Sequence, residues 1–182
     1  SGSMTVELIK NKKRCKRLVE RTFSSQGRKS HLLYFRQKDY VYLQEYIPND
    51  GYDIRVEIAG NHAYGYRRKV PTGDFRASGM NLIVLGHIPH EVLIISRKLY
   101  KALKSPMIVV DFVHGIDGKY YIIEFSPFCR IDTPSELIID GERGSYIFDD
   151  DENYHYEKEL IWIHDLALQE FFKQKFLFEF VP

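Results

Sequence analysis

Two acidic residues interrupt apolar stretches that read as β-strands, where carboxylates are costly to bury. Asp111 breaks the apolar run 107–113, and Glu124 lies within the run 121–125. The glycine-bearing turn 115–118 predicts a hairpin that brings the two carboxylates close together on neighbouring strands. A cation between them would remove their repulsion, and magnesium bridging nucleotide phosphates is the usual choice for oxygen ligands. For either acid alone, a salt bridge or a solvent-facing side chain is the simpler interpretation.

Several arginines are predicted to lie within reach of the same strands, namely Arg55, Arg67, Arg68 and Arg76. Guanidinium groups make planar, bidentate contacts with phosphate or carboxylate. Together with magnesium, they would supply the charge neutralisation that phosphoryl transfer requires. Each arginine taken singly is more simply interpreted as a surface residue.

The elements that would position these groups follow from hydrophobic periodicity and turn signals. Alternation and turns predict strands at 41–47, 52–59, 63–66, 107–113 and 120–125, with a turn at 48–51. Three- and four-residue apolar spacing predicts helices at 5–21, 91–104 and 154–173. The chain is therefore predicted to be one α+β domain with an antiparallel sheet flanked by helices.

Composition and charge narrow the function classes. Two cysteines without CxxC spacing argue against a zinc site or a disulfide framework and favour a reduced, cytoplasmic setting. No apolar run is long enough to span a bilayer, so no membrane association is expected. Residues 1–4 are interpreted as a tag remnant followed by a start methionine. The segment 10–29 carries nine basic residues and one acid, which suits either a solvated helix face or contacts with phosphates.

The order of motifs over residues 41–137 resembles the ATP-grasp superfamily, and is most similar to ligases of the glutathione-synthetase and ribosomal-protein glutamate-ligase type. The motifs that carry the resemblance are Gln44-Glu45-Tyr46-Ile47, Asp53-Ile54-Arg55-Val56, Gly73-Asp74-Phe75-Arg76, Asp111 and Ile123-Glu124-Phe125-Ser126-Pro127. The resemblance implies an ATP-grasp-like fold for a single domain at 5–182, with a helical extension at 138–182.

The resemblance also implies roles for individual residues. The segment Gln44-Glu45-Tyr46-Ile47 would hold the adenine edge, and Asp53 would lie near the ribose. Arg55 and Arg76 would face the phosphates or an acyl phosphate as the catalytic cations.

Magnesium ligands follow from the same resemblance, with Asp111 and Glu124 as the first two. The family usually has an asparagine as third ligand, two residues after the glutamate, and Ser126 stands at that position here. A serine hydroxyl is a shorter and weaker ligand than an asparagine amide oxygen.

A reduced N-terminal lobe is implied, because the adenine-binding motif begins as early as Gln44. The loop 24–29 would be a shortened phosphate-covering loop, with Arg28 or Lys29 as its cation. The chain is then either a fragment or a minimal, divergent member, and a partner domain or chain could supply the missing lobe.

The function implied is an ATP- and magnesium-dependent carboxylate–amine ligase that works through an acyl phosphate, and the same machinery would also suit a kinase-like transfer. One alternative is an inactive or minimal module that binds nucleotide or a partner. Another is a nucleic-acid-binding protein that uses the basic N-terminal segment.

Overall fold

The computed structural model describes residues 6–77, 79, 82–128 and 137–176. Within the described residues, an eight-stranded antiparallel sheet carries helices on both of its faces, and a two-stranded sheet precedes it in the sequence. The strands of the small sheet are β1 (Arg28–Lys29) and β2 (Arg36–Gln37). The strands of the large sheet are β3 (Asn49–Ala59), β4 (His62–Lys69), β5 (Ile83–Val84), β6 (Met107–Gly115), β7 (Tyr120–Ser126), β8 (Leu137–Ile139), β9 (Glu142–Phe148) and β10 (Tyr154–Lys158). The helices are α1 (Lys12–Thr22), α2 (His90–Leu103) and α3 (Ile163–Phe176). The expected mixed class, with an antiparallel sheet flanked by helices, is confirmed.

The centre of the large sheet consists of two hairpins that are joined by the pairing of β3 with β6. The main order is β10-β9-β4-β3-β6-β7, with β5 beside β4 and β8 beside β9. A tight turn at Gly60, whose φ is 59°, closes the β3–β4 hairpin and places Asp53 opposite Arg68. On the other side of β3, Arg55 lies opposite Asp111. Both predicted hairpins are confirmed.

One face of the sheet is apolar and packs against α2. Every second residue of β3 points to this face, including Val56 and Ile58, which are fully buried. Phe112 of β6 joins the same core, together with Val92 and Leu93 of α2. Because side chains alternate along a strand, the intervening residues lie on the opposite face.

The opposite face is covered at one end by α3, whose Ile163 and Ala167 pack with Ala59, Tyr64 and Met107. Farther along the same face come Asp53 and Arg55 of β3 and their charged partners on β4 and β6. These charged residues thus lie on the half of this face that α3 leaves uncovered.

Three sequence predictions are corrected by the fold. The expected strand 41–47 is an extended segment without a ladder, and its hydrogen bond to the edge strand β7 comes from the Gln44 side chain rather than from its backbone. The expected turn 48–51 is the irregular start of β3, where Gly51 has φ of 84°. The first helix begins at Lys12 rather than residue 5, because the Asn11 side chain accepts the Arg14 N–H at 2.9 Å and caps it.

The expected helical extension at 138–182 is also different within the described residues. Residues 137–158 form three strands that widen the sheet beyond β4. Tyr154 and Tyr156 alternate with polar residues and pair with β9, so the period is two and not that of a helix. Only Ile163–Phe176 is helical. No helix of the described part of the chain combines the length and the apolar character needed to cross a bilayer.

Candidate functional site

A cleft of about 990 Å³ lies between the N-terminal segment and the polar face of the sheet. One wall is the extended segment 40–47, and the floor comes from β3, β4, β6 and β7. Gln44 fastens the wall to the floor, because its side-chain N–H donates to the Ile123 carbonyl at 3.1 Å. The loop 75–77 closes one side.

The cleft brings together most of the residues that the sequence pointed to. Those that line it are Arg28, Gln44, Glu45, Tyr46, Ile47, Asp53, Arg76, Asp111 and Glu124. Lys29, Arg55 and Ser126 do not line it. Lys29 lines a separate concave surface beside the end of α1, and Arg55 reaches the cleft only through its contact with Asp111. Nine of the twelve predicted residues therefore line one concavity, although they are far apart in the sequence.

Four charged side chains are joined by ion pairs at the floor of the cleft, and all of them except Arg55 line it. The Arg55 guanidinium donates to both Asp111 oxygens at 2.8 Å, and Arg68 donates to both Asp53 oxygens at 2.7 and 2.8 Å. Arg68 also lies 3.1 Å from Asp111 Oδ2 and so links the two pairs. Asp53, Arg68 and Asp111 are each less than 10% exposed. We call these four residues the ion cluster.

The ion cluster alters the protonation equilibria of its acids. Burial raises the pKa of Asp111, but hydrogen bonds and charge from Arg55 and Arg68 lower it by more, so that the net pKa is below its usual value. At Asp53 burial outweighs the opposite effect of Arg68, and the pKa is raised. Arg55 is held firmly in its charged form, because its hydrogen bond to Asp111 raises its pKa.

Arg68 stood out in the sequence only as one cation among several, without an assignment to the site. Its role was readable from the hairpin, because counting outward from the Gly60-Asn61 turn places Arg68 opposite Asp53. A buried carboxylate directly across from an arginine on an antiparallel pair is a signal for an ion pair.

The expected pairing of Asp111 with Glu124 is found in the strand register. These residues are cross-strand partners on β6 and β7, just before a bulge at Asp111/Phe112. Glu124 is exposed and forms no ion pair with another described residue. Ser126 lies farther along β7, opposite Val109, and its hydroxyl accepts the Phe128 N–H at 3.1 Å.

The donor set fits a magnesium ion that arrives with a nucleotide. Within the described residues there is no cluster of three or more acidic, histidine or cysteine side chains of the kind that holds a metal unaided. Magnesium bound with phosphates usually takes only one or two protein carboxylates. Asp111 Oδ1 accepts one N–H bond, from Arg55 Nε, which leaves an acceptor position on that oxygen. Glu124 would supply the second carboxylate.

The remaining cations of the site are also engaged. Arg76 donates to Asp74 through Nε at 3.0 Å and Nη2 at 2.7 Å, and this contact lowers the Asp74 pKa. Arg28 contacts Glu7 at 2.7 Å and Gln37 at 3.0 Å. The lining of the cleft contains three arginines and five carboxylates, which makes its formal charge −2. A tetra-anionic nucleotide alone would be repelled, whereas its magnesium complex carries less negative charge.

Comparisons with known proteins find a partial structural likeness only. No family model and no curated protein matches the chain. Among solved structures, the macrocyclase MdnB from Microcystis aeruginosa MRC is 16% identical with a TM-score of 0.38, over 48% of this chain and 31% of that one. The RiPP-associated ATP-grasp ligase from Chryseobacterium gregarium, in complex with ADP and a leader and core peptide, is 12% identical with a TM-score of 0.39. That likeness covers 47% of this chain and 28% of the ligase. The chain thus spans about three tenths of the length of these structures.

Proposed function

We propose that the cleft binds ATP with magnesium and that the protein is an ATP-dependent carboxylate–amine ligase. The observation that carries this proposal is the convergence of the resemblance motifs on one cleft of about 990 Å³. The cavity is of the size that ligand sites of proteins commonly have. An intracellular setting, where ATP and magnesium are available, belongs to the same proposal.

The segment 44–47 would receive the adenine. It runs extended along one wall, so its backbone polar groups are not used in a strand ladder. Tyr46 is half-exposed and offers a ring against which a base can lie. Glu45 is exposed and offers a carboxylate as acceptor for an exocyclic amino group.

Asp53 would lie on the ribose side of the nucleotide, but its place in the ion cluster limits how it can bind a ribose hydroxyl. Both of its oxygens already accept bonds from Arg68, so a ribose hydroxyl would share an oxygen rather than occupy a free one. The phosphates would then lie towards Asp111 and Glu124, with Arg76 on the loop at the side of the cleft. Bound magnesium would neutralise phosphate charge there, held by Asp111 and Glu124.

The chemistry proposed is ordinary acyl activation. A carboxylate oxygen of the substrate attacks the γ-phosphorus, the bond to ADP breaks, and an acyl phosphate forms. An amine then attacks the acyl carbon, its proton is released, and inorganic phosphate leaves. The protein would contribute by positioning the reactants and neutralising charge, not by covalent catalysis. Arg55 would act through Asp111, whose carboxylate it holds in place.

A second candidate is a minimal ATP-grasp module that binds nucleotide without turnover. It is favoured by the position of Arg55 and Ser126 outside the lining of the cleft. It is also favoured by the open side of the cleft, where Tyr42 is 80% and Leu43 60% exposed. A partner domain or chain that covers these residues would complete the site.

Isothermal titration with ATP tests the nucleotide site. We expect binding in the presence of magnesium and none in EDTA, because the lining of the cleft is already negative. Glu124→Gln should abolish the magnesium-dependent part. Glu157→Gln, an exposed glutamate on the opposite edge strand β10, is the matched control and should bind as the wild type does. Equal binding with and without magnesium would contradict the proposed site.

Turnover separates the two candidates. With ATP, magnesium and hydroxylamine present, a ligase should form ADP and a hydroxamate when the correct carboxylate is added from a panel of amino acids and acidic peptides. Nucleotide binding without ADP formation for any member of the panel would favour the binding module.

A further inference from the structure

A second concave surface, which we call the basic groove, lies beside the cleft between the end of α1 and the β1–β2 hairpin. Its volume is about 690 Å³. Its basic lining residues are Arg21, Arg28, Lys29, His31 and Arg36, and it contains a single acid, Glu7. The groove shares only Glu7 and Arg28 with the cleft.

Most of the positive charge in the basic groove is not neutralised within the described protein. Glu7 is taken by Arg28 at 2.7 Å and approaches Arg14 at 3.7 Å. Arg21, Lys29 and Arg36 form no ion pair with any other described residue, and all three are exposed. These side chains are therefore available to an anionic ligand.

The β1–β2 hairpin places two of these cations directly against each other. Lys29 and Arg36 are cross-strand partners, and like charges in that position destabilise a strand pair. Each strand is only two residues long, so little else in the ladder offsets the repulsion. A bound anion that bridges the two side chains would turn this repulsion into a contact.

The positive charge of the basic groove continues along the whole N-terminal part of the chain, which suits a polymeric anion. Residues 6–38 contain eleven Lys and Arg against two Glu, a net charge of +9, whereas the whole chain carries +1. The rest of the protein is therefore net −8, and the positive charge is concentrated on one end of the chain. Concentrated charge of this kind binds phosphate backbones by releasing their counterions.

Exposed rings stand next to this charge at the tip of the hairpin. Tyr34 is 100% exposed and Phe35 is 50% exposed, although neither is polar enough to favour that position. The Ser30 hydroxyl accepts the Leu32 N–H at 3.0 Å and donates to the Phe35 carbonyl at 2.8 Å, which holds the tip in a defined turn. Aromatic rings beside a basic groove are the usual platform on which unpaired bases stack.

We propose that the basic groove binds single-stranded nucleic acid without sequence preference. The phosphodiester backbone contacts Arg21, Lys29 and Arg36, and bases stack on Tyr34 and Phe35. An acidic peptide would use the cations but has no planar bases for the rings, so the combination favours nucleic acid. The proposal does not depend on ATP binding, because the uncompensated cations are absent from the lining of the cleft.

Fluorescence anisotropy with a labelled oligothymidine of about 12 nucleotides, titrated at several salt concentrations, tests the proposal. Arg21→Gln/Arg36→Gln should weaken binding about tenfold or more and make the salt slope shallower by about 1.4, at roughly 0.7 for each phosphate that is no longer neutralised. Lys13→Gln/Arg17→Gln removes the same charge from exposed positions of α1 outside the groove, and should retain nearly wild-type affinity.

Tyr34→Ser separates stacking from charge. It should weaken binding about fivefold or more at every salt concentration and leave the salt slope unchanged, because every phosphate-binding cation is still present. Circular dichroism of each variant establishes that it is folded.

Three outcomes would overturn the proposal. The first is equal weakening by the Lys13/Arg17 pair, which would mean diffuse attraction rather than a groove. The second is competition by polyglutamate of the same charge as effective as that by unlabelled oligothymidine, which would identify a surface for acidic peptides. The third is no binding of the oligonucleotide at low salt.

Discussion

Asp111 and Glu124 are expected to differ sharply when each carboxylate is replaced by its amide. Asp111 is 4% exposed, accepts two N–H bonds from Arg55 and forms an ion pair with Arg68 at 3.1 Å. In Asp111→Asn an amide NH₂ would face a guanidinium, and buried positive charge would be left without its counter-charge. Glu124 is exposed and contacts no cation among the described residues.

The size of the difference follows from these contacts. Removing one partner of a buried ion pair costs about 3–5 kcal/mol, because the remaining charge stays desolvated and unpaired. Small proteins are stable by only about 5–15 kcal/mol in total, so Asp111→Asn should remove a large share of the folding free energy. Glu124→Gln should change it by less than about 0.5 kcal/mol, as is usual for an exposed side chain without partners.

Urea unfolding followed by the fluorescence of Trp162, the single tryptophan, measures both effects. Asp151→Asn, an exposed aspartate in the β9–β10 turn, is the control for the substitution itself and should behave as Glu124→Gln does. The reasoning about the ion cluster would be refuted if the unfolding free energy of Asp111→Asn lay within about 1 kcal/mol of the wild-type value. It would equally be refuted if Glu124→Gln were as unstable as Asp111→Asn.

Three further outcomes are expected. Partial burial raises the pKa of Glu152, but the hydrogen bond from Lys101 and the charge of Arg97 lower it by more, so its net pKa is below 4.5. The contribution of Glu152 to stability is therefore present above pH 4.5 and disappears as the pH falls through the lowered pKa. In urea titrations, Glu152→Gln should lower the unfolding free energy by about 0.5–1 kcal/mol at pH 7 and leave it unchanged at about pH 2. Phe112→Ala, at a fully buried core position, should cost about 3–5 kcal/mol by the same measurement. Gln44→Ala should leave the unfolding free energy within about 1 kcal/mol but increase cleavage within residues 40–47 in limited proteolysis, because it removes the side-chain bond from this segment to β7, and unchanged cleavage there would contradict that role.

The parts of the fold that sequence predicts well are those settled by near neighbours in the chain. The β3–β4 and β6–β7 hairpins follow from alternation and from short turns, and α2 follows from its apolar spacing. Segment 41–47 alternates equally well but lies beside the edge strand β7 without forming a ladder with it, and this depends on how the segment packs against the whole sheet. Residues 154–158 form a strand because they pair with β9 along its length.

The contacts of the site also differ in whether near neighbours in the chain determine them. The Asp111–Glu124 pairing was predictable because one hairpin determines it. The choice of Asp111 as the partner of Arg55 was not, because β3 and β6 are separated by a helix and their register depends on packing. The separation of Lys29 from the cleft likewise depends on how the β1–β2 hairpin packs in three dimensions.

The bulge between β6 and β7 has a consequence for how this protein tolerates insertions and deletions. Residues on either side of it keep their partners, with Glu124 opposite Asp111 and Ile122 opposite Phe112, so Ile123 is the extra residue. A deletion of Ile123 would preserve both pairings and remove the carbonyl that holds Gln44. A deletion at Ile122 or Glu124 that was not absorbed by the bulge would instead turn the remaining side chains of the strand over to the wrong face. The hairpin therefore contains one position where the chain can change length while the sheet keeps its two chemically distinct sides.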